Sequence, residues 1–258
     1  MPEGLEAEIW RTAIEDTVGR RIVDAWVDER VAAPDFVRAV VGVRVTDVRR
    51  AGKVVVIDTT GPSIGLHFGM TGRIVVDGRS AIGRLEYASN RDDATWDRLL
   101  VWTDRRRIRV PAIRMNDPRR FGRVSLDPDL DHLGVDIFAV SKSLLAPRLA
   151  RRRTPVKAAL LDQTVVAGLG NLCADEVLWW AGIDPRRAAD SLRPDEVAAL
   201  TSAIRRRLPI MLRRGGSTTG TIDPETRRSL GLCPRDGGQL IRDVVGSRTT
   251  VWCGRHQC

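Results

Sequence analysis

Residues 157–180 read KAALLDQTVVAGLGNLCADEVLWW, and two apolar, helix-patterned runs meet there at Gly168-Leu169-Gly170-Asn171. Glycine permits backbone conformations and close approaches that a Cβ would block. Asparagine is a good N-cap, so the second helix is expected to begin at or near Asn171. The free N–H groups of such a start form an anion site. With Lys157 on the first helix, the segment reads either as a plain helical hairpin turned at glycine or as a clamp for a DNA phosphate. The helical period extends over 156–166, 171–181 and 194–214. Toward the N-terminus, a helix over 5–18 is followed by short Val- and Ile-rich runs at 22–28, 43–50, 53–59, 64–68, 73–76, 98–103, 107–113 and 122–126, which read as strands. The expected class is α+β and multidomain. A helix and β-sandwich span 1–127, a Pro- and Arg-rich hinge 128–155, a helical domain 156–225 and a hairpin-like tail 226–258.

The chain has 258 residues, a net charge of +9 and a pI near 10.5, and thirty-nine of its 42 basic residues are arginine. Arginine makes forked contacts with phosphate and stacks on bases. A basic excess of this size points to a polyanion, nucleic acid before an anionic membrane. No run has the length or apolarity of a signal peptide or membrane span, so a cytoplasmic, nucleoid-associated protein is expected. In a reducing compartment the four cysteines are not expected to pair. Cys173, alone on an apolar helix, reads as a small core residue.

The tail carries Cys233-Pro-Arg-Asp236 and, after sixteen residues, Cys253-Gly-Arg-His256, with Cys258 beyond. Two x2-spaced pairs around a hairpin-length insert are the pattern of a structural zinc hairpin. The expected ligands are Cys233, Asp236, Cys253 and His256, with Cys258 as a substitute if the terminus bends back. The competing reading is a hairpin that has lost its metal and is held by Leu240, Ile241, Val251 and Trp252.

At the other end, Met1-Pro2-Glu3 taken alone reads first as an ordinary helix start, with proline and an acid in the first turn. Removal of Met1 would expose a secondary amine whose pKa lies far below that of lysine. Such an amine can attack a carbonyl-like carbon and form a Schiff base, and Glu3 beside it could move the proton. Arg49-Arg50-Ala51-Gly52-Lys53 between two strands reads as a hairpin tip carrying a lysine.

Together with Leu66-His67-Phe68-Gly69-Met70-Thr71-Gly72, Asn116-Asp117-Pro118-Arg119-Arg120-Phe121-Gly122, the 160–180 helix–two-turn–helix and Arg248 upstream of Cys253, the sequence resembles the formamidopyrimidine-DNA glycosylase/endonuclease VIII family over essentially its whole length. The resemblance implies a β-sandwich, a hinge, a helical domain and a zinc hairpin, with damaged duplex DNA in the cleft between the halves. It implies a monomer whose catalysis needs no metal. Pro2 would attack C1′ of a damaged nucleotide, Glu3 would shuttle protons at the sugar, and Lys53 would contact phosphate beside the lesion and assist. β- and δ-elimination would then nick the strand. Asn171 and Arg248 would hold the flanking phosphates. Met70, Arg119 and Phe121 match the positions that fill the gap left by a flipped base, and Arg119 would face the orphaned base, with cytosine preferred.

Three departures stand out. Leu5 replaces the usual second proline of the opening motif, the zinc ligands are altered, and Cys233 follows soon after Gly215-Gly216-Ser217-Thr218-Thr219. The loop that covers flipped 8-oxoguanine in purine-selective members is therefore shortened. The gap-filling residues resemble the formamidopyrimidine branch; the short loop and Leu161-Asp162-Gln163 resemble endonuclease VIII. Expected substrates are oxidised pyrimidines, ring-opened purines or abasic sites, with weak action on 8-oxoguanine. The competing readings are a family member that binds damaged DNA without cutting it and a basic protein of RNA or membrane surfaces.

Overall fold

The computed structural model describes residues 2–258 apart from 33–34, 84, 87, 90 and 105–109. The chain divides into two compact units, Met1–Pro2 with Glu6–Asp131 and Glu3–Leu5 with His132–Cys258.

In the first unit, helix α1 (Gly4–Glu15) precedes β1 (Ile22–Val27), the short helix α2 (Phe36–Val40) and strands β2 (Val45–Ala51), β3 (Val54–Thr59), β4 (Ile64–His67), β5 (Arg73–Val76), β6 (Arg79–Ser80), β7 (Asp97–Thr103), β8 (Ile113–Asn116) and β9 (Arg123–Leu126). They form two antiparallel sheets, ordered β1-β7-β8-β5-β6 and β2-β3-β4-β9. Alternate residues of both sheets, such as Ile22, Leu99 and Met115 from one and Val48, Ile57 and Leu66 from the other, enter a single core with Trp10 and Ile14 of α1. Each sheet thus turns one face into the core, with register shifts at Ile22/Asp24 of β1 and Val45/Asp47 of β2 interrupting strict alternation, and the result is a two-layer sandwich. The Trp10 and Phe68 rings lie 4.3 Å apart within it. The strand expected over 107–113 is placed later, at Ile113–Asn116, and residues 107–109 of that expectation lie outside the described residues.

In the second unit, β10 (Val135–Asp136) pairs in parallel with β11 (Val166–Ala167), around helices α3 (Lys142–Leu149), α4 (Val156–Leu161), α5 (Asn171–Ala181), α6 (Pro194–Arg214) and α7 (Pro224–Ser229). The hairpin of β12 (Leu240–Val245) and β13 (Arg248–Cys253) completes it. Helix α6 begins with Pro194 in its first turn, and Glu196 Oε2 accepts from the Arg193 N–H at 2.7 Å. It ends at Gly215, whose φ of 113° an L side chain rarely adopts. Of the segment 128–155, expected as a hinge, residues 132–155 are part of this unit: Leu145 and Leu149 of α3 sit four residues apart and enter its core beside Leu160, Val177, Leu200 and Ile204. Its arginines face outward, which gave the sequence its linker-like look.

Candidate active site

The N-terminus of α5 is already occupied by a carboxylate of the chain itself. Glu3 is buried, with Oε1 accepting from the Leu172 N–H at 2.7 Å and Oε2 from Gly170 and Cys173 at 3.0 and 3.1 Å. Those groups are the orphan donors of a helix start, and a carboxylate placed there is favoured by the helix dipole. Gly170 makes the approach possible, since a Cβ at that position would collide with the Glu3 side chain. The expected free anion site is therefore filled by Glu3. The N-cap is Gly170, and Asn171 is the first helical residue. Pro2, one residue earlier, is buried.

Lys157 is not exposed at this position. Its side chain is fully buried, with Nζ 2.7 Å from Asp175 Oδ1. It also donates to Thr250 Oγ1 at 2.7 Å and to the Thr249 carbonyl at 3.0 Å. Burial pulls its ammonium below the ordinary lysine value, and Asp175 pulls back. Asp175 is paired a second time with Arg227 of α7, and its Oδ2 accepts from the Val251 N–H at 3.1 Å. The Thr249 carbonyl receives two more donors, Asn171 Nδ2 at 3.0 Å and Arg227 Nη2 at 3.1 Å. Helices α4, α5 and α7 thus converge on the residue next to Arg248. Arg248 itself is exposed, directly after the hairpin turn of Gly246 (φ 58°) and Ser247 (φ 60°). Two left-handed residues suit a tight hairpin turn.

The shortened stretch after Gly216 is tied down rather than loose. Glu176 Oε2 accepts from the N–H groups of Thr221 and Ile222 at 2.8 and 2.9 Å, and α7 follows with Arg227 buried against Asp175.

In the first unit, Gly52 (φ 58°) and Lys53 form the two-residue tip joining β2 to β3, where Ala51 pairs with Val54. Val54 pairs with His67, and His67 with Arg123. His67 is exposed at the strand end, and partial loss of solvent around its ring, then the charges of Lys53 and Arg123, hold its imidazole below the usual value. Its Nδ1 accepts from the Gly69 N–H at 3.2 Å.

Met70, Arg119 and Phe121 lie on two loops organised by Asp117. The fully buried Asp117 carboxylate accepts from the Thr71 hydroxyl, from the Gly122 N–H at 2.8 Å and from the Arg119 N–H at 3.2 Å. Gly69, at φ 56°, lies against the Phe121 backbone, where a side chain could not fit. The result is a half-buried Met70, an exposed Arg119 and a Phe121 that is 55% exposed. An aromatic residue left in solvent by a rigid loop is not ordinary core.

The tail residues Cys233, Asp236, Cys253 and His256 come together with their ligand atoms all within 4.8 Å of one another. His256 Nε2 lies 3.1 Å from the Trp179 carbonyl, which can only accept, so Nδ1 is the nitrogen left to face the cluster. Asp236 is held well below the usual carboxylate range by the Gly238 N–H and then by His256 and the cysteines. Two thiols, an imidazole and a carboxylate make a four-donor set that could bind a structural metal such as zinc. Cys258 is not part of it. Its backbone is fastened to Gly182, Asp184 and Arg187, and the residue is exposed. The apolar support expected of the hairpin is present in Leu240, Val251 and Trp252, whereas Ile241 faces solvent. All four cysteines are free, and Cys173 is buried in the helical core.

The family model of the formamidopyrimidine-DNA glycosylase N-terminal domain matches residues 1–124, and that of the formamidopyrimidine-DNA glycosylase H2TH domain matches residues 131–223. The formamidopyrimidine-DNA glycosylase of Paracoccus denitrificans is 37% identical, with 98% of each chain covered. That of Rhodopseudomonas palustris is 34% identical over all of both chains. In fold, the chain resembles Lactococcus lactis Fpg bound to DNA containing Fapy-dG (TM-score 0.82, 24% identity, 99% of each chain). It resembles MutM in complex with DNA containing carbocyclic 8-oxo-G equally well (TM-score 0.82, 24% identity, 99% of each chain). The chain belongs to the formamidopyrimidine-DNA glycosylase family of DNA-repair enzymes. Among the described residues, no helix is long and apolar enough to cross a membrane.

Proposed function

We propose that the chain is a bifunctional glycosylase and abasic-site lyase acting on ring-opened and oxidised purines in duplex DNA. The observation that carries this reading is Glu3, a carboxylate directly after Pro2, fixed by three backbone donors at the start of α5. With Met1 removed, the Pro2 nitrogen uses its lone pair to bond C1′, and the C1′–base bond breaks with its electron pair leaving on the base. Glu3 takes the Pro2 N–H proton and passes it to the ring oxygen as the C1′–O bond breaks, so the opened sugar is left as a cationic imine (iminium) on Pro2. The imine acidifies the 2′ hydrogen, whose loss expels the 3′ phosphate; a second elimination expels the 5′ phosphate.

Lys53, at a rigid hairpin tip, contacts phosphate beside the lesion. Arg248 supplies a forked phosphate contact, and Asn171 has a second amide hydrogen to offer beyond the one given to Thr249. Met70 and Phe121 fill the gap in the stack, while Arg119 hydrogen-bonds the unpaired base. Cys233, Asp236, Cys253 and His256 hold zinc, which supplies a cross-link for the hairpin bearing Arg248.

Purine lesions are favoured over pyrimidine ones because the relatives are formamidopyrimidine-DNA glycosylases. Ring-opened purines are placed ahead of 8-oxoguanine, since the stretch between Gly216 and Cys233 is short and pinned by Glu176 and Asp175.

Borohydride trapping on abasic DNA tests the reading. Wild type forms a covalent adduct and Pro2→Gly loses most of it. Tight binding to lesion duplexes without any adduct would leave the non-cleaving alternative standing. A panel of lesion duplexes in single turnover ranks the substrates.

A further inference from the structure

We propose that the cleft between α3 and α6 is a second phosphodiester site, which takes the backbone of a duplex segment other than the one under repair. The inference rests on the DNA-repair reading above. It begins with where the positive charge sits. The stretches 137–161 and 197–222 contain no acidic residue and hold eleven basic ones, more than the net +9 of the whole chain. Helix α3 lies within the first stretch, α6 beyond its acidic first turn (Asp195, Glu196) lies within the second, and the two helices pack against each other.

The buried and half-buried arginines of this chain are paired with acids, for example Arg20 with Asp77, Arg98 with Asp28, Arg114 with Asp97 and Arg187 with Glu196. Lys142, Arg205 and Arg206 have no such partner among the described residues and sit together on one cleft. They are exposed, and among the described residues no ion pair involves them. A solvated helix face would place acids three or four residues from each arginine. Arg205 has Thr201, Ser202, Leu208 and Pro209 at those positions, and Arg206 has Ser202, Ala203, Pro209 and Ile210. Three mutually repelling cations without relief are a net cost in the free protein.

They line one cleft of about 480 Å³ with Ala198, Thr201 and Ser202. The Thr201 hydroxyl is spent on the Val197 carbonyl at 2.8 Å, so Ser202 adds the available hydroxyl. Arginine forks, an ammonium and a hydroxyl are the donors that phosphate oxygens take. The lining has no aromatic or large aliphatic side chain, which an interfacial membrane site would need. Glu3, Asn171, Arg248 and the metal-binding residues take no part in it. An enzyme that must search long DNA gains from such a site, because a second segment can be held before the first is released.

The test uses the full-length enzyme and the triple variant K142A/R205A/R206A. Each is trapped by borohydride on a short abasic duplex and then titrated with a second, undamaged fluorescent duplex. The wild-type adduct binds the second duplex, and the variant adduct binds it at least tenfold more weakly. Single-turnover nicking of a short lesion duplex stays within twofold of wild type. On long undamaged DNA without trapping, the slope of log K against log salt falls in magnitude by about 2.7 for three lost phosphate contacts. A wild-type adduct that ignores the second duplex, or variant and wild type with equal second-duplex affinity and equal slopes, overturns the proposal. Binding of sodium tripolyphosphate in place of any second duplex also overturns it, in favour of a free oligophosphate. Failure to form an adduct counts against the lyase reading instead, and the untrapped salt slopes then decide for or against the cleft.

Discussion

Replacing Asp175 separates the structural role of the Lys157 network from the phosphate contact that its sequence suggests. Asp175 and Lys157 are both fully buried, and Asp175 is also the counter-ion of Arg227. Asp175→Ala leaves two buried cations without their carboxylate counter-ion and removes the acceptor of the Val251 N–H. Breaking a buried pair from one side costs about 3–5 kcal/mol, which at about 3 °C per kcal/mol for a unit of this size lowers its Tm by about 10 °C or more. Lys157→Met is milder, because Asp175 keeps Arg227 and the methionine stem fills the space; its cost is about 1–3 kcal/mol for the orphaned carboxylate oxygen. Denaturant or thermal unfolding of the two variants measures both numbers. DNA titration against salt gives the complementary reading. A lost phosphate contact would reduce the slope by about 0.9, whereas a buried structural lysine leaves it unchanged in Lys157→Met. The reasoning is refuted if Lys157→Met costs more stability than Asp175→Ala, if Asp175→Ala costs less than about 1 kcal/mol, or if Lys157→Met lowers the salt slope at unchanged stability.

Three further outcomes are expected. Glu196 is held below the ordinary glutamate value of 4.5, chiefly by Arg187, so the unfolded chain takes up its proton first as the pH falls. Its contribution is present above that value and lost below it, and Glu196→Gln flattens the acid side of the stability profile followed by Tm against pH. Phe121→Ala, at an exposed position, changes Tm by no more than the equivalent of about 0.5 kcal/mol, yet it slows excision from lesion duplexes at least tenfold; unchanged excision would remove Phe121 from the DNA-contacting set. Elemental analysis of protein purified without chelator finds one zinc per chain, and Cys253→Ser loses it together with lesion binding, while a zinc-free, fully folded and active sample rules the metal out.

Much of the fold was legible because its periods are clean. Helix α6 has the limits, 194–214, that its apolar spacing and terminal glycine imply, and α5 likewise runs over 171–181. The strand runs are short, Val- and Ile-rich and punctuated by Gly and Asp, so the sandwich could be read from them. What stayed hidden depends on which residues meet. Helix α3 was masked by Pro147 and an arginine run, although Leu145 and Leu149 carry its apolar face. Lys157 looked like a free cation near a glycine turn because nothing in the order of residues places Asp175 2.7 Å away. The same holds for Glu3, whose residence at the start of α5, 167 residues downstream at its nearest donor, requires the folded chain. Asp117 lies inside a motif quoted for its neighbours, and its burial reveals it as the group that holds the loops of Met70 and of Arg119 and Phe121. The tail was readable in full as a donor set, since x2 spacing is itself a geometric statement.

Most direct for the central claim is the mass of the N-terminal peptide in borohydride-trapped, catalytically competent enzyme. The account requires a peptide that lacks Met1 and carries the deoxyribose remnant on the Pro2 nitrogen. A remnant on any lysine, or full activity in material that retains Met1, contradicts it.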